Sequence, residues 1–397
     1  MAKISLCMIV KDEAQNLSAC VTSALPLVDE VVVVDTGSQD NTKEIAEGLG
    51  ALVFDYGWQD DFASARNFAL TKVSGDWILV LDADEVLDNK IIPLIKEAVE
   101  DDNTLVINLL RQEIGTVSSP YSQLSRLFRR HHNIKFSRPY HALIDDAVLE
   151  ICQQESHWRI VDLPQVAINH YGYQPQVIEA QNKAQRAKTA MEGYLQHHPN
   201  DSYVCSKLGA LYLQLRETKK GFKLLTKGLK LHGSAPAVTY ELHYHLANAL
   251  VTQGNAEGAE KHYQKAIKAP ILPILKIGAY FNYGSLSSQV QEWSRALVLF
   301  HECIKIMPNF AVAYYNLGIC YKATGKFAEA KGAYQQAIQL KPDYALAYQN
   351  LGLLLYHLAQ YEDSFKYLQQ ALILHQQQSP DYAQKFEQQL RALGYEL

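Results

Sequence analysis

The chain has 397 residues, 48% of them hydrophobic and 20% charged, which is more than one ordinary domain needs and is the composition of a folded, soluble protein; two domains are the expectation. A formal net charge of -5 without blocks of Lys or Arg argues against a mainly electrostatic grip on nucleic acid or anionic lipid. No run approaches a membrane span, and the opening stretch to Val10 is apolar too briefly for a signal peptide. Six cysteines (Cys7, Cys20, Cys152, Cys205, Cys303, Cys320) lack CxxC or metal-finger spacing. They read as reduced structural thiols, which places the protein in the cytoplasm or peripherally at the inner face of the membrane.

Up to about residue 110, short β-branched runs alternate with helical segments. Strands are predicted at Ile4 to Val10, Val31 to Val34, Ala51 to Phe54, Trp77 to Leu81 and Leu105 to Leu109. Helices are predicted from about Ala14 to Ala24 and from about Asn41, where Asn41 and Glu44 resemble a capping box. This is βαβ grammar, and it predicts an α/β domain with a Rossmann-like, mostly parallel sheet.

The apolar run Trp77-Ile78-Leu79-Val80-Leu81 ends in Asp82-Ala83-Asp84-Glu85. A buried strand that delivers carboxylates at its carboxyl end puts them where ligands bind in open α/β sheets. Alternation lets Asp82 and Asp84 share one side, where they can hold a divalent cation or a nucleotide's polar groups. Asp35 follows its own strand in the same way and should lie nearby, able to accept from a base or ribose. Arg66, within Asp60-Asp61-Phe62-Ala63-Ser64-Ala65-Arg66-Asn67, brings a guanidinium suited to phosphate. Trp58 is the aromatic expected to line the cleft, whereas Asp40 and Asn41 read as caps and His131-His132 as a solvated face.

From about residue 177 the strand signals stop. Val177 to His197 reads as one polar helix, and residues 174–201 as a linker. Beyond it, Leu317-Gly318, Tyr321, Gly325, Phe327, Ala330, Tyr334 and Ala337 recur 34 residues later as Leu351-Gly352, Leu355, Ala359, Tyr361, Ser364, Leu368 and Ala371, the tetratricopeptide period. Tyr283-Gly284, Leu246-Ala247 and Leu208-Gly209 open three earlier units. Residues 202–397 are therefore read as an all-α superhelix of about five tetratricopeptide (TPR) repeats and a capping helix from Pro380. Tyr321, Tyr334 and Tyr361 fall on packing positions of that pattern.

Residues 1–173 resemble the catalytic domain of glycosyltransferase family 2. The resemblance rests on the opening Cys7-Met8-Ile9-Val10-Lys11-Asp12-Glu13, on Asp35-Thr36-Gly37-Ser38-Gln39-Asp40-Asn41-Thr42, on Arg66-Asn67 and on Asp82-Ala83-Asp84-Glu85. Arg126-Leu127-Phe128-Arg129, His141 and His170-Tyr171-Gly172-Tyr173 extend it. It implies a GT-A fold, a nucleotide-sugar donor, a manganese or magnesium ion and inversion at the anomeric carbon. It further implies that Asp35 contacts the base, Arg66 the diphosphate, Asp82 the ribose or metal, and Asp84 the metal. Val10 and Glu13 would frame the nucleoside, and His170 or His141 would complete the metal shell. Ala142 departs from the pattern, because many relatives carry a glutamate directly after the histidine. If that glutamate serves the acceptor, its role is missing here or passes to Asp145, Asp146 or Glu85.

The expectation is a metal-dependent inverting transferase that moves a hexose from a UDP-sugar to an acceptor. Its catalytic residues are Asp84, Glu85, His141 and Asp145, its donor-binding residues Val10, Glu13, Asp35, Arg66 and Asp82, and its metal ligands Asp84, Asp82 and His170. A peptide or protein acceptor in the repeat groove is expected, with a homodimer as another use of that groove. Assembly of an envelope polysaccharide or lipid-linked glycan competes with this reading, as does a non-catalytic scaffold with a nucleotide-sensing domain.

Overall fold

Eight strands form one sheet in the order β3-β2-β1-β4-β7-β6-β8-β5 in a computed structural model that describes residues 2–116, 120–172, 181–392 and 394–395. The first four strands in chain order are β1 (Ile4–Val10), β2 (Glu30–Asp35), β3 (Leu52–Asp55) and β4 (Trp77–Val80), and all four run parallel. β5 (Glu85–Leu87), β6 (Thr104–Glu113), β7 (Tyr121–Arg129) and β8 (Arg159–His170) follow. Four of the seven pairings are parallel, and antiparallel contacts of β7 with β4 and β6, and of β5 with β8, make the sheet mixed. Sequence alone gave no sign of β5, β7 or β8.

Alternation sorts the core onto the two faces of the sheet. Leu6, Met8, Val31 and Val33 point to one face, with α1 (Leu17–Ala24) and α4 (Ile92–Ala98). Cys7, Val32 and Val34 point to the other, with α3 (Phe62–Leu70) and α5 (Asp145–Gln154). The helix predicted from Asn41 is α2 (Thr42–Gly48), but Asn41 makes no side-chain cap; Asp40 instead accepts from the Thr42 backbone at 3.0 Å. His131 is not simply solvated, since its ring packs edge-on to Trp158 and lies 3.5 Å from Glu155.

The described part of the predicted bridge is helix α6 (Gln181–His197); positions 173–180, including Tyr173, lie outside the described residues. Five helix pairs come next: α7 (Ser202–Gln214) with α8 (Thr218–Lys230), α9 (Pro236–Thr252) with α10 (Ala256–Ile267), α11 (Ile277–Gln289) with α12 (Trp293–Ile306), α13 (Ala311–Ala323) with α14 (Phe327–Leu340), and α15 (Ala345–His357) with α16 (Tyr361–Gln378). α17 (Pro380–Ala392) closes the series. Tyr334 is fully buried as its packing position requires, but Tyr361 opens its helix and stays 56% exposed. By contacts the chain forms two compact units, Met1–Val238 and Thr239–Leu397. No helix among the described residues is long and apolar enough to cross a membrane.

Candidate active site

The loops that leave β1 and β2 are laced together at the carboxyl end of the sheet. The Asp12 amide donates to Ser38 Oγ at 2.9 Å, and Asp12 Oδ1 accepts from the Gln39 amide at 2.7 Å. The Glu13 amide donates to Thr42 Oγ1 at 2.8 Å, and the buried Val10 carbonyl accepts from Thr36. Val10 and Glu13 therefore flank the turn that carries Asp35. That carboxylate is 1% exposed, and its Oδ1 accepts from the Gly37 and Ser38 amides at 2.8 and 2.9 Å. Asp35 Oδ2 is buried without a hydrogen-bond partner. An unmet buried acceptor is costly and calls for a donor.

Beyond β4 the charges alternate along one connected chain. Arg66 and Arg126 each donate to Asp82, on Oδ1 at 2.5 Å and Oδ2 at 2.6 Å. Arg126 also reaches Glu85 Oε1 at 3.3 Å, and Arg111 meets the same oxygen at 2.8 Å and Glu113 at 2.7 Å. Glu113 Oε2 lies 2.5 Å from His170 Nδ1, and His170 Nε2 lies 3.1 Å from Asp84 Oδ2. A bulge positions Arg126: between the pairs Leu109–Leu124 and Ile107–Leu127, Ser125 and Arg126 stand opposite Asn108 alone. Such an extra residue re-aims side chains, and bulges are frequent beside active sites.

These partners set the ionisation. Burial opposes charge on Asp82, but Arg126 and Arg66 hold its carboxyl well below the usual range. Burial likewise opposes charge on His170, yet its bonds to Asp84 and Glu113 outweigh that and push it up to about 9. Glu113 is lowered, the bond from His170 and the charge of Arg111 overcoming its burial.

The structure therefore gathers Asp82, Asp84, Glu85, Arg66 and His170 in one connected cluster. Both Asp82 oxygens accept from guanidinium groups, so Asp82 organises the charges of the site. Glu85 is 0% exposed; Arg111 and Arg126 bond its Oε1, and its Oε2 accepts from the Asp82 amide at 2.9 Å. Its oxygens are thus engaged within the charged cluster, where Glu85 ties the Arg111 and Arg126 guanidinium groups to the turn after β4. Arg66 grips Asp82, while Asn67 clasps the Phe136 backbone through two bonds of 2.9 and 2.8 Å.

His141 is exposed and has a left-handed backbone, φ 53°, its ring edge-on to Tyr140. Asp145 begins α5, accepts from Ser125 at 3.3 Å and leaves Oδ2 buried without a partner. Burial raises its pKa. Trp58 packs edge-on to Phe62, and Phe62 in turn on Tyr140, in an aromatic row at the start of α3. Arg111 and Glu113 were missed as site residues. Their signal is charge two residues apart at the end of an apolar strand, which puts both on one face.

Asp84 and His170 are donors of the kind a divalent cation takes, and an ion there would displace the proton that the His170–Asp84 bond holds. Asp84 Oδ2 and His170 Nε2 converge beside Gly172, where a Cβ would come within 2.5 and 2.6 Å of them. Glu113 on Nδ1 fixes the ring so that Nε2 faces Asp84, the carboxylate–histidine arrangement that orients metal ligands. Among the described residues no group of three or more His, Cys, Asp or Glu converges on a metal site. Magnesium-like ions are commonly held by one or two protein ligands, with substrate phosphates and water filling the other positions.

Residues 5–161 match the family described as Glycosyl transferase family 2. Residues 240–270, 311–344 and 345–377 match tetratricopeptide repeats. A TPR repeat-containing protein of Synechococcus elongatus is 44% identical over 286 residues, covering 72% of this chain and 71% of that protein. An uncharacterized glycosyltransferase of Rickettsia felis is 32% identical over 139 residues, covering 33% of this chain and 49%, about half, of that protein. Among solved structures, YrrB, a TPR protein with an unusual peptide-binding site, is 18% identical with a TM-score of 0.43 and covers 51% of this chain and 100% of its own.

Proposed function

We propose, for a chain that belongs to glycosyltransferase family 2 and carries C-terminal tetratricopeptide repeats, that the site transfers a hexose from a UDP-sugar to a peptide or protein acceptor, with a divalent cation and inversion at the sugar. The observation that carries the donor half is the pair of unequal carboxylates at the end of β2 and in the turn after β4, the two strands that flank β1. Asp35 keeps a buried, unmet Oδ2, which suits the N–H of a pyrimidine base or a ribose hydroxyl. Asp84 is paired with a histidine, which suits a cation on the diphosphate.

Asp84 and His170 would hold manganese or magnesium, whose charge offsets that of the departing nucleoside diphosphate. Arg126 and Arg66 keep Asp82 ionised and fixed, so the turn that carries Asp84 holds its shape as the donor binds. Asp145 is the base this reading favours for the acceptor hydroxyl. Its raised pKa makes it a better proton acceptor than an ordinary aspartate, and Ser125, the residue before Arg126 in β7, donates to it. A GT-A domain of this small size leaves acceptor recognition to other parts of the chain, and repeat helices offer a groove for extended peptides.

The test is isothermal titration of the whole protein with UDP and GDP, with and without manganese, on wild type, Asp84→Ala and Asp35→Asn. UDP binding that requires manganese, is lost in Asp84→Ala and is about 100-fold weaker in Asp35→Asn supports the reading, because an amide N–H facing a base N–H leaves both unpaired. Failure of wild type to bind any nucleotide overturns it in favour of a scaffold.

A further inference from the structure

The segment between β7 and α5 is gripped from two sides. On one side, Arg138 is 8% exposed and holds a left-handed backbone, φ 76°, a conformation that non-glycine residues keep only where their surroundings impose it. Its guanidinium donates to Asp201 Oδ2 from Nε at 2.8 Å, to Asp146 from Nη1 and Nη2 at 2.8 and 3.2 Å, and to Ser137 Oγ at 3.0 Å, and it lies 5.0 Å above the Tyr203 ring. Asp201 is also the N-cap of α7, its Oδ1 accepting from the Val204 amide at 3.0 Å. Tyr140, two residues on, packs against the apolar cluster of Ala187, Met191, Val204 and Leu208 on α6 and α7.

On the other side, the same segment is bound to α3. The Phe62 amide donates to the Pro139 carbonyl at 3.0 Å, Asn67 clasps the Phe136 backbone, and the Phe136 ring lies 5.4 Å from the Arg66 guanidinium. Arg66 stands between those two anchors and ends on Asp82. A continuous physical path therefore runs from the cap of α7 through Arg138 and the segment to α3 and the charged cluster.

We propose that Arg138 is a positioning residue through which helices α6 and α7 hold residues 134–143 against α3, so that the first helix pair is a working part of the catalytic unit. The clustering of residues 1–238 into a single unit agrees with this. A buried arginine with two carboxylate partners is costly to disrupt from either side, because the charge left behind stays buried. A cut at residue 202 would remove Tyr203 and the helix that Asp201 caps, and with them one wall of this grip. Only the nucleotide readout below rests on the transferase reading.

The experiment is hydrogen–deuterium exchange on the full chain as wild type, Arg138→Gln, Asp201→Asn and the double variant, with UDP and manganese titrated into each. Asn is as good an N-cap as Asp, so Asp201→Asn removes the charge and keeps α7 capped if Arg138→Gln folds poorly. The expected result is exchange at least about tenfold faster across 134–146 and 62–67 in each single variant, no further rise in the double, and weaker UDP binding. Unchanged exchange in those segments in Asp201→Asn overturns the proposal, and so does a uniform rise across the whole first unit. If wild type does not bind UDP, the transferase reading fails, and the exchange pattern still decides the grip.

Discussion

At the carboxyl end of β4, four carboxylates, three arginines and a histidine meet from five stretches of sequence, the farthest separated by His170 and Arg66. In the helices after residue 239, the tight glycine contacts fall within one repeat. A glycine on the first helix faces a large side chain on the second, as in Gly284 with Phe300, Gly318 with Tyr334 and Gly352 with Leu368, always sixteen residues apart. The first region is held by long-range charge pairs, which are individually demanding and jointly specific. The second is held by short-range steric fit, repeated, with each unit needing only its neighbours. Damage should therefore stay local in the repeats and spread through the charged cluster.

The sharpest way to break that contrast is Arg126→Met. It removes the cation shared by Asp82 and Glu85 and fills roughly its volume. Arg66 and Arg111 remain as partners, so the expected loss is about 3 kcal/mol, the low end for breaking a buried pair. The loss should appear in the unfolding of the first unit, followed by near-ultraviolet circular dichroism under urea. It should come with weaker nucleotide binding, because Asp82 is no longer held from both sides. A change below about 0.5 kcal/mol would mean that the cluster behaves like a set of surface ion pairs.

How far each region is legible in the sequence follows from the same contrast. Asp35, Asp82 and Asp84 can be placed because each ends an apolar strand, and strand ends define a sheet edge. The repeats can be placed because their spacing is periodic. Arg111 and Glu113 could not be assigned, since their role depends on β7 and β8, whose antiparallel and crossover pairings have no local signature. Glu85 reads as an available carboxylate until those strands bring Arg111 and Arg126 onto it. The cap of α2 shows the same limit on a smaller scale: Asn41 and Glu44 have the right spacing, but Asp40 reaches the Thr42 amide because it is already drawn towards the Ala14 amide of the neighbouring loop.

A smaller effect is expected in the repeats. In Gly318→Ala the new Cβ would lie 2.4 Å from the Tyr334 ring, closer than real contacts allow, so Tyr334 or its helix must shift. The cost should be about 1–3 kcal/mol, read as a lower Tm for the second unit. The equivalent crossing in an earlier repeat carries Ala247 opposite Tyr263, both buried, so this site can be built around a methyl group when the helices are spaced for it. Nucleotide binding by the first unit should be unaffected. A measured drop in UDP affinity in Gly318→Ala would contradict the locality argued above.

The smallest effect is electrostatic and lies where the repeats break their own rule. His243 and His262 face each other with their Nδ1 atoms 2.9 Å apart. Burial lowers the His243 pKa from its ordinary 6.5 to about 4, with His262 and then Lys265 adding to the shift. A histidine that resists protonation when folded contributes its full stability above the unfolded pKa of 6.5. That contribution is lost as the pH falls from 6.5 towards 4, because the unfolded chain takes up the proton first. The second unit should therefore melt at lower temperature at pH 5 than at pH 7, and His243→Gln should flatten that slope by removing the titrating ring while keeping a polar partner for His262. An identical slope in the variant would place the acid sensitivity elsewhere in the repeats and leave this pair as packing alone.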